Sequence, residues 1–528
     1  MKFKTKYLMS FLIVFGLILA GCGSNETDTT EPEEDDVDVT EEEEDSELKV
    51  AISAQPPTLD QHMSSSTATQ DVAKLLYETL VTYNSDYEPV PMLAESFEES
   101  DDGKTYTFNL REGVMFHNGK EMVADDVVAS MERWVELSGL TGSIFDDATF
   151  EAEDDYTFKI ELASPSALTL DTIASPKQAP AIMPAEVIEG ASAEGVDEYI
   201  GTGPYKFVEW KDDQNIHLTK YDDYSALEEE PDGLAGKKEA LIKDIYFHIV
   251  PDATTQLTGL QTGEYDIAIE LPSDLYDQIE NSDNLEGYFH PLGEAMLFYN
   301  KVEGPASDFK MREAINAALD VDEIMQGVFV KEDLYWLDPS YMNKNITKWQ
   351  SDAGEQFYNQ KDPEKAKEIL DEIGYDGEEI RILTTRDYSS MYDAAIIIQE
   401  QLNQVGLNVT LDVYDWPTYS DRLDDPESWE LSFTVASMVA TPTQLISLSP
   451  SYAGGVQSDE ISDQLKAIEN ATDEAEAIEL WEELQGFAWE SHLPVTVLGG
   501  QNIMDGVSDS VEGLEHFFGI VLWNVDKK

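Results

Sequence analysis

The sequence from Val72 to Trp134 reads VAKLLYETLVTYNSDYEPVPMLAESFEESDDGKTYTFNLREGVMFHNGKEMVADDVVASMERW. At its centre, Asp101-Asp102-Gly103-Lys104 predicts a hairpin turn. Residues 105–110 then alternate between polar and apolar, as a half-buried strand does, and residues 124–137 have the apolar spacing of a helix. This stretch therefore predicts a helix and an antiparallel sheet that lie close together in the chain.

The same patterns continue on both sides of this stretch. Strands are predicted at 48–52, 156–162 and 407–413, and helices at 71–80, 310–319, 363–372 and 391–405. Gly374 and Gly406 follow the last two helices and suit left-handed C-terminal caps. This mixture of helices and strands predicts an α/β fold, and 528 residues exceed what one hydrophobic core usually serves. We therefore expect more than one lobe.

The charge of the chain excludes several classes of partner. The sequence has 109 acidic and 32 basic residues, for a net charge of −77. Such a chain lacks the excess of cations that nucleic acids and anionic lipid surfaces require, so no nucleic-acid partner is expected. Its single cysteine excludes a disulfide framework and a Cys-built metal site. We also predict no cofactor, no bound metal and a monomer.

The N-terminus has the features of an export signal. Three lysines precede an apolar run at 7–20, which is too short to span a membrane comfortably. The run ends in Leu19-Ala20-Gly21-Cys22, which resembles the lipobox of bacterial lipoproteins, in which the cysteine is lipidated and becomes the mature N-terminus. An ordinary signal peptide with an incidental cysteine is the alternative. We expect a palmitate-type lipid anchor at Cys22, and through it contact with the bilayer.

An acidic segment follows the proposed anchor. Residues 25–47 contain fourteen acidic residues and no basic ones, so they cannot form a packed core and predict a solvated tether. When the three N-terminal lysines and these acidic residues are left out, the remaining chain, residues 48–528, still carries a net charge of −66. Screening at high ionic strength relieves the repulsion within such a body. An acidic body therefore indicates an extracytoplasmic protein of a saline or alkaline habitat, and we expect a Gram-positive source.

Short motifs along most of the chain resemble one protein family. They are Leu76-Tyr77-Glu78, Pro91-Met92-Leu93-Ala94-Glu95-Ser96, Phe116-His117-Asn118-Gly119, Ala124-Asp125-Asp126-Val127, Gly201-Thr202-Gly203-Pro204-Tyr205, Val250-Pro251-Asp252-Ala253-Thr254, Arg312-Glu313-Ala314-Ile315-Asn316 and Gln401-Leu402-Asn403-Gln404-Val405-Gly406-Leu407. Together they resemble the extracytoplasmic solute-binding proteins of peptide, nickel and related ABC importers (bacterial family 5). The resemblance begins near residue 48 and continues to the C-terminus.

The resemblance implies a type II periplasmic-binding-protein fold with two lobes, a hinge between them and an inserted subdomain. It also implies that the protein closes over a peptide or peptide-like solute and delivers it to the permease subunits. The expected organisation is a lipoprotein signal peptide at 1–21, a tether at 22–47, a first lobe at 48–83, 200–293 and 495–528, the insertion at 84–199 and a second lobe at 294–494.

The resemblance also suggests ligand-binding residues. Arg386 matches a family arginine that pairs with the ligand carboxylate, Tyr388 a tyrosine that lines the pocket, and Trp416 a tryptophan that packs along the ligand backbone. A loop with Ser65, Ser66 and Thr67 matches the hydrogen-bonding loop of the first lobe. The alternatives are a surface ion pair for the arginine, a core position for the tryptophan and a helix cap for the serines.

One position departs from the family pattern. Peptide-binding members use an aspartate to hold the ligand ammonium, and Met438 stands at that place here. Asp387 or Asp415 could replace the missing carboxylate. Otherwise the solute is not an ordinary peptide with a free amine, and a sugar, a conjugate or chelated nickel would be candidates. The seven histidines show no metal-ligand spacing, so nickel is favoured less than peptide.

Catalysis has little support in the sequence. No G-x-S-x-G, H-E-x-x-H, Walker or C-x-x-C motif is present, so no enzyme is predicted. The sequence leaves one further alternative open: a surface receptor that senses peptides without transporting them.

Overall fold

The computed structural model describes residues 46–450, 452–456 and 458–528. The strands are β1 Glu47–Ile52, β2 Val81–Tyr83, β3 Pro89–Pro91, β4 Ala94–Glu99, β5 Thr105–Leu110, β6 Thr149–Asp154, β7 Thr157–Glu161, β8 Tyr205–Lys211, β9 Asn215–Lys220, β10 Asp244–Ile249, β11 Ile267–Leu271, β12 Leu285–Tyr299, β13 Tyr335–Trp336, β14 Glu379–Thr385, β15 Asn408–Tyr414, β16 Leu431–Ser437, β17 Val495–Ser508, β18 Val511–Glu512, β19 Glu515–His516, β20 Ile520–Val521 and β21 Asp526–Lys527.

The α-helices are α1 Thr67–Leu76, α2 Ala124–Leu137, α3 Thr169–Ala174, α4 Ala185–Gly190, α5 Ala253–Thr262, α6 Tyr276–Glu280, α7 Phe309–Ala318, α8 Val321–Phe329, α9 Pro363–Ile373, α10 Ser389–Gln404, α11 Trp416–Leu423, α12 Asp459–Glu469 and α13 Glu474–Phe487. The last helix continues into a π-helical turn, Ala488–His492. Short 3₁₀ turns lie at Ser273–Leu275, Pro305–Ser307, Glu332–Leu334, Thr347–Trp349, Glu355–Phe357, Pro442–Gln444 and Ile446–Leu448.

One mixed sheet runs through most of the fold. Its strand order is β15-β14-β16-β12-β17-β11-β1-β10-β9-β8, with β13 paired to β17. The long antiparallel strands β12 and β17 form its centre and belong to both halves. In one half, built from 285–291 and 501–508, strand β17 pairs with β11. In the other half, built from 293–299 and 495–501, strand β12 pairs with β16. We call the pair of strands β12 and β17 the central ribbon.

The central ribbon is irregular where its two halves meet. Its register shifts between Pro291 and Gly293 and again between Ala295 and Met296. A Cβ atom on Gly293 would lie 1.8 Å from the carbonyl oxygen of Ala436, so only glycine allows the close approach of the neighbouring strand there. The pairing register of the two strands therefore changes at this point, while the strands stay paired on both sides of it.

A second, smaller sheet begins within the stretch Val72–Trp134 and is completed by two strands that follow it. Strands β4, β5, β7 and β6 form a four-stranded antiparallel sheet, in which Phe108 pairs with Phe158. Helix α2 packs on this sheet with its apolar side, which includes Val127, Met131 and Trp134. The alternation of residues 105–110 predicted this packing, because one side of β5 is buried and the other is not.

A buried ion pair joins α2 to the segment between β1 and α1. The guanidinium of Arg133 donates to both carboxylate oxygens of Asp60, at 3.0 and 2.5 Å, and also lies 3.0 Å from His62 Nδ1. All three side chains are buried. Burial lowers the pKa of His62 to about 4, so this imidazole is neutral and can accept from the arginine.

Most of the predicted elements are present. The predicted helix at 124–137 has these bounds, and Gly374 ends α9 with a φ of 69°. Several other bounds differ by one or two residues, and the helix predicted at 71–80 differs most, because it begins at Thr67 and ends at Leu76, beyond which Tyr77 is extended. The α/β prediction is confirmed. Among the described residues no helix has the length and apolarity of a membrane span; the predicted signal peptide and Cys22 lie outside them.

Candidate functional site

Two neighbouring strand ends create the first wall of a cleft. Strands β14 and β15 are parallel, with Thr385 opposite Tyr414, so both chains leave the sheet at the same edge. The first continues through 386–388 into α10, and the second through Asp415 into α11. Asp415 caps α11 by accepting from the backbone N–H of Thr418 at 3.1 Å. Crevices at the carboxyl ends of parallel strands are the usual ligand sites of open α/β sheets.

The cleft has a volume of about 460 Å³ and takes its lining from both halves of the large sheet. Asp387, Tyr388 and Trp416 contribute from the wall that follows β14 and β15. Glu270 and Ile503 face them from the other half of the sheet. A volume of this size is within the range of small-molecule sites and is suitable for a small solute.

Aromatic rings form the exposed edge of the first wall. The rings of Tyr388 and Trp416 meet edge to face at 4.7 Å, and Trp416 stacks on Tyr419 at 5.1 Å. Tyr388 is 50% exposed and Trp416 39%, which is unusual for rings of this size. Asp387 holds the edge in place because its Oδ2 accepts from the backbone N–H of Trp416 at 2.6 Å. The three residues predicted here thus lie together.

Arg386 is adjacent to the cleft but is not part of its lining. Its guanidinium donates to the hydroxyl of Tyr392 at 2.7 Å and lies over that ring at 4.5 Å. Among the described residues it forms no ion pair with an acid, so the surface pairing considered from the sequence does not occur. An exposed arginine without a carboxylate partner is available to an anionic group.

The other predicted residues do not line this cleft. Ser65 is exposed, and Ser66 precedes α1 without capping it through its side chain. Thr67 is the exposed first residue of α1. Met438 is only 9% exposed and packs in the hydrophobic core, and its N–H donates to the carbonyl of Leu292 at 3.0 Å.

Glu270 is a cleft residue that the sequence analysis missed. Its side chain is open to the cleft but accepts no hydrogen bond and forms no ion pair within the described residues. Its backbone has a φ of 58°, which is rare for glutamate, and its N–H donates to Asp505 Oδ1 at 2.8 Å. Desolvation between the walls, and then the charges of Asp71 and Asp505, raise the pKa of Glu270 to about 7. No motif of the sequence marked Glu270.

A cluster of two histidines and an aspartate lies behind the cleft wall to which Glu270 belongs. His290, Asp505 and His516 bring one possible ligand atom each within 4.8 Å of one another, and they are the one such group in the described part of the chain. Burial lowers the pKa of His516. Sequence spacing did not indicate this cluster, because its members come from three separate strands.

Comparison with known proteins gives a consistent result. Residues 88–457 match the bacterial extracellular solute-binding proteins, family 5 (middle region). A relative from Sinorhizobium fredii, named a probable peptide ABC transporter periplasmic-binding protein y4tO, is 28% identical over 487 residues, which cover 87% of this chain and 89% of that protein. The oligopeptide-binding protein AppA of Bacillus subtilis is 26% identical over 462 residues, covering 82% and 80%.

Solved structures share the fold. AppA from Bacillus subtilis, in complex with a nonapeptide, has a TM-score of 0.72 and 23% identity, covering 89% of this chain and 96% of that one. The protein AgaA from A. tumefaciens R10, in complex with agropinic acid, has a TM-score of 0.74 and 25% identity, covering 91% and 99%. The predicted two-lobed, type II-like α/β fold is therefore confirmed. The chain belongs to the bacterial extracellular solute-binding proteins of family 5.

Proposed function

We propose that this protein is the substrate-binding component of an ABC importer and captures a peptide or a peptide-like solute outside the membrane. The cleft carries this proposal, since both halves of the large sheet line it and an aromatic edge is exposed on one side. Flat rings bind extended, partly apolar solutes with little loss of conformational entropy. The names of the relatives, which include peptide- and oligopeptide-binding proteins, support the same class of solute.

The charges around the cleft favour a solute with a carboxylate at one end. Arg386 has no acidic partner in the described part of the chain and lies beside the aromatic edge, where a short side-chain movement would bring it to an anionic group. Met438 brings no charge. Asp415 is committed to the cap of α11, and Asp387 to Trp416, so they are poor replacements for the missing aspartate. Glu270 is the better candidate for a positive group of the solute.

The proposed mechanism is an equilibrium between open and closed forms, in which the solute bridges the two lobes and stabilises the closed form. We place the first lobe at 48–83, 200–293 and 495–528, the insertion at 84–199 and the second lobe at 294–494. The irregular centre of the central ribbon supports a hinge at the boundary near residue 293. On closure, Glu270 and the aromatic edge would approach the solute from opposite sides.

We further propose that Cys22 carries a lipid anchor on the outer face of the cell membrane and that 22–47 is an acidic tether. A monomer on such a tether would reach the permease without leaving the surface, since tethering raises its effective concentration there. The net charge of −77 supports a saline or alkaline habitat, where ionic screening reduces repulsion within the protein.

A thermal-shift screen tests the solute class. A form without residues 1–22 is mixed with di- to pentapeptides, each as the free peptide, the C-terminal amide and the N-acetyl derivative. A ligand at a hundred times its dissociation constant adds about 2.7 kcal/mol to stability and raises the midpoint. We expect free peptides to stabilise the protein and amides to do so less. If no peptide raises the midpoint, the peptide proposal fails.

Two matched variants locate the contact with the amine. Glu270→Gln should reduce the affinity for free peptides but not for N-acetyl peptides, because only the former carry an ammonium group. Glu264→Gln removes a charge from an exposed position near the same strand and should change neither. An equal loss for both ligand forms would argue against Glu270 as the partner of the ammonium.

A non-peptide organic acid is the second candidate. It is favoured by the buried Met438 in place of an acid and by the likeness to AgaA, whose structure contains agropinic acid. In that case amino-acid conjugates and sugar acids would raise the midpoint where peptides do not.

A further inference from the structure

The cluster behind the cleft wall joins three strands of the fold. His290 lies on β12, Asp505 on β17 and His516 on β19. Asp505 Oδ2 is 2.8 Å from His516 Nε2 and 3.4 Å from His290 Nε2. The two imidazole rings are stacked with their centroids 3.8 Å apart and an angle of 14° between their planes. Asp505 and His516 are almost completely buried, and His290 is nearly so.

The short distances in this cluster are within the range of ion pairs, but they lack the geometry of hydrogen bonds. His290 Nε2, both ring nitrogens of His516 and Asp505 Oδ2 are buried and have no hydrogen-bond partner among the described residues. A buried polar atom without a hydrogen-bond partner destabilises the folded state, so four such atoms in one place require an explanation. His217 and Asp244 show the ordinary arrangement, since there Nε2 and Oδ1 form a hydrogen bond of 2.7 Å.

We propose that His290, Asp505 and His516 bind a divalent transition-metal ion of the Zn²⁺ class. Two neutral imidazole nitrogens and a carboxylate oxygen are a common donor set for such ions. Donor atoms of a tetrahedral zinc site lie about 3.3 Å apart, given metal–ligand distances near 2.0–2.1 Å. The carboxylate oxygen is at 2.8 and 3.4 Å from the two nitrogens, and the three donor atoms all lie within 4.8 Å of one another, so a small adjustment would give this spacing.

Binding requires one local adjustment. In the stacked arrangement the two rings are nearly parallel, whereas lone pairs that share one ion must converge on it. The rings therefore tilt apart around the ion, and three protein ligands leave a fourth position open. The pair of nitrogens selects transition metals over Ca²⁺ and Mg²⁺, which prefer oxygen ligands and can occupy the many surface carboxylates.

The ion would connect the C-terminal segment to the wall of the cleft. His516 follows β18 in that segment, whereas His290 and Asp505 belong to the central ribbon. The second oxygen of Asp505 accepts from the N–H of Glu270, which lines the cleft. A bound ion would thus fix the carboxylate that holds Glu270 in its strained backbone conformation.

Cobalt titration tests this site. The chain without its first 22 residues and without a histidine tag is stripped with a chelator, then titrated with Co²⁺ in high salt and excess Ca²⁺. We expect one Co²⁺ per chain, with the intense visible absorption of low-coordinate cobalt, displaced by Zn²⁺, and a higher melting midpoint with Zn²⁺. Absence of a saturable absorption band, as expected if a water molecule bridges the cluster, would overturn the proposal.

Variants assign the ligands. His290→Gln and His516→Gln should each weaken Co²⁺ binding by more than about 100-fold, because they remove a direct ligand rather than an outer contact. His217→Gln removes a histidine from the ordinary His–Asp pair and should leave the titration unchanged. Equal binding by all three variants would show that the metal is held elsewhere. Circular dichroism checks that the variants are folded. If they are not, the cobalt absorption of the unchanged protein still decides whether the site binds a metal.

Discussion

The carboxyl group of Glu294 should make stability fall as pH rises. It lies on β12 within the irregular centre of the central ribbon, is buried, and accepts from Asn343 Nδ2 at 2.8 Å. Burial, with a smaller contribution from the charge of Asp338, raises the pKa of Glu294 to about 8 against the opposing effect of the hydrogen bond from Asn343. The folded protein therefore keeps a proton on Glu294 that the unfolded chain releases near pH 4.5.

The size of the effect follows from this difference. The neutral carboxyl stabilises the fold fully below pH 4.5, and this contribution is lost as pH rises to about 8. One pKa unit corresponds to about 1.36 kcal/mol, so the loss is at most about 5 kcal/mol. Glu294→Gln keeps an oxygen that can accept from Asn343 but does not ionise. Relative to this variant, the unchanged protein should lose about 1.4 kcal/mol per pH unit across that range.

Urea unfolding at a series of pH values and constant salt measures this difference. All other carboxylates titrate in both proteins, so their effects cancel when the two free energies of unfolding are subtracted. Glu303→Gln, on an exposed residue, controls for the loss of one negative charge. A difference between the unchanged protein and Glu294→Gln that stays constant from about pH 5 to about pH 8 would refute the reasoning.

Three further substitutions test the core and the cleft. Trp416→Ala should weaken solute binding by about 2 kcal/mol or more, as for other central aromatic contacts, and unchanged calorimetric affinity would contradict its role. Arg386→Ala should cost a carboxylate-bearing solute about 2–5 kcal/mol and its amide much less, and an equal loss for both would exclude a contact with the carboxylate. Asp60→Asn should lower the free energy of unfolding by about 3–5 kcal/mol, because Arg133 would be left buried with a weaker partner; a loss below about 1 kcal/mol would show that the pair is not important for stability.

The fold could largely be predicted because its elements have local signals. The helix at 124–137 is amphipathic along its whole length, and β5 alternates strictly, so both were predicted at their observed positions. The first helix was predicted to extend too far, because the apolar residues at 75–76 are followed by another apolar residue at 80. The chain is already extended at Tyr77. Apolar spacing alone does not reveal where a helix gives way to a buried extended segment.

The candidate site was predictable only in part. Tyr388 and Trp416 follow two strands that are neighbours in sequence, and the family resemblance marked both. Glu270 is brought to them by the folding of a different part of the chain. His290 and His516 are more than two hundred residues apart, so no motif could join them. Contacts that depend on the pairing of distant strands have no local signal in a single sequence.

The central ribbon has a consequence for the order in which the chain can fold. Strand β11 gains its second neighbour only when β17 has been made, more than two hundred residues later. Residues 520–525 then complete the core that contains β1. At about 5–20 residues per second, synthesis of the intervening segment takes on the order of ten to forty-five seconds. The half of the protein that begins first is thus completed last, only after the whole of the other half has been synthesised.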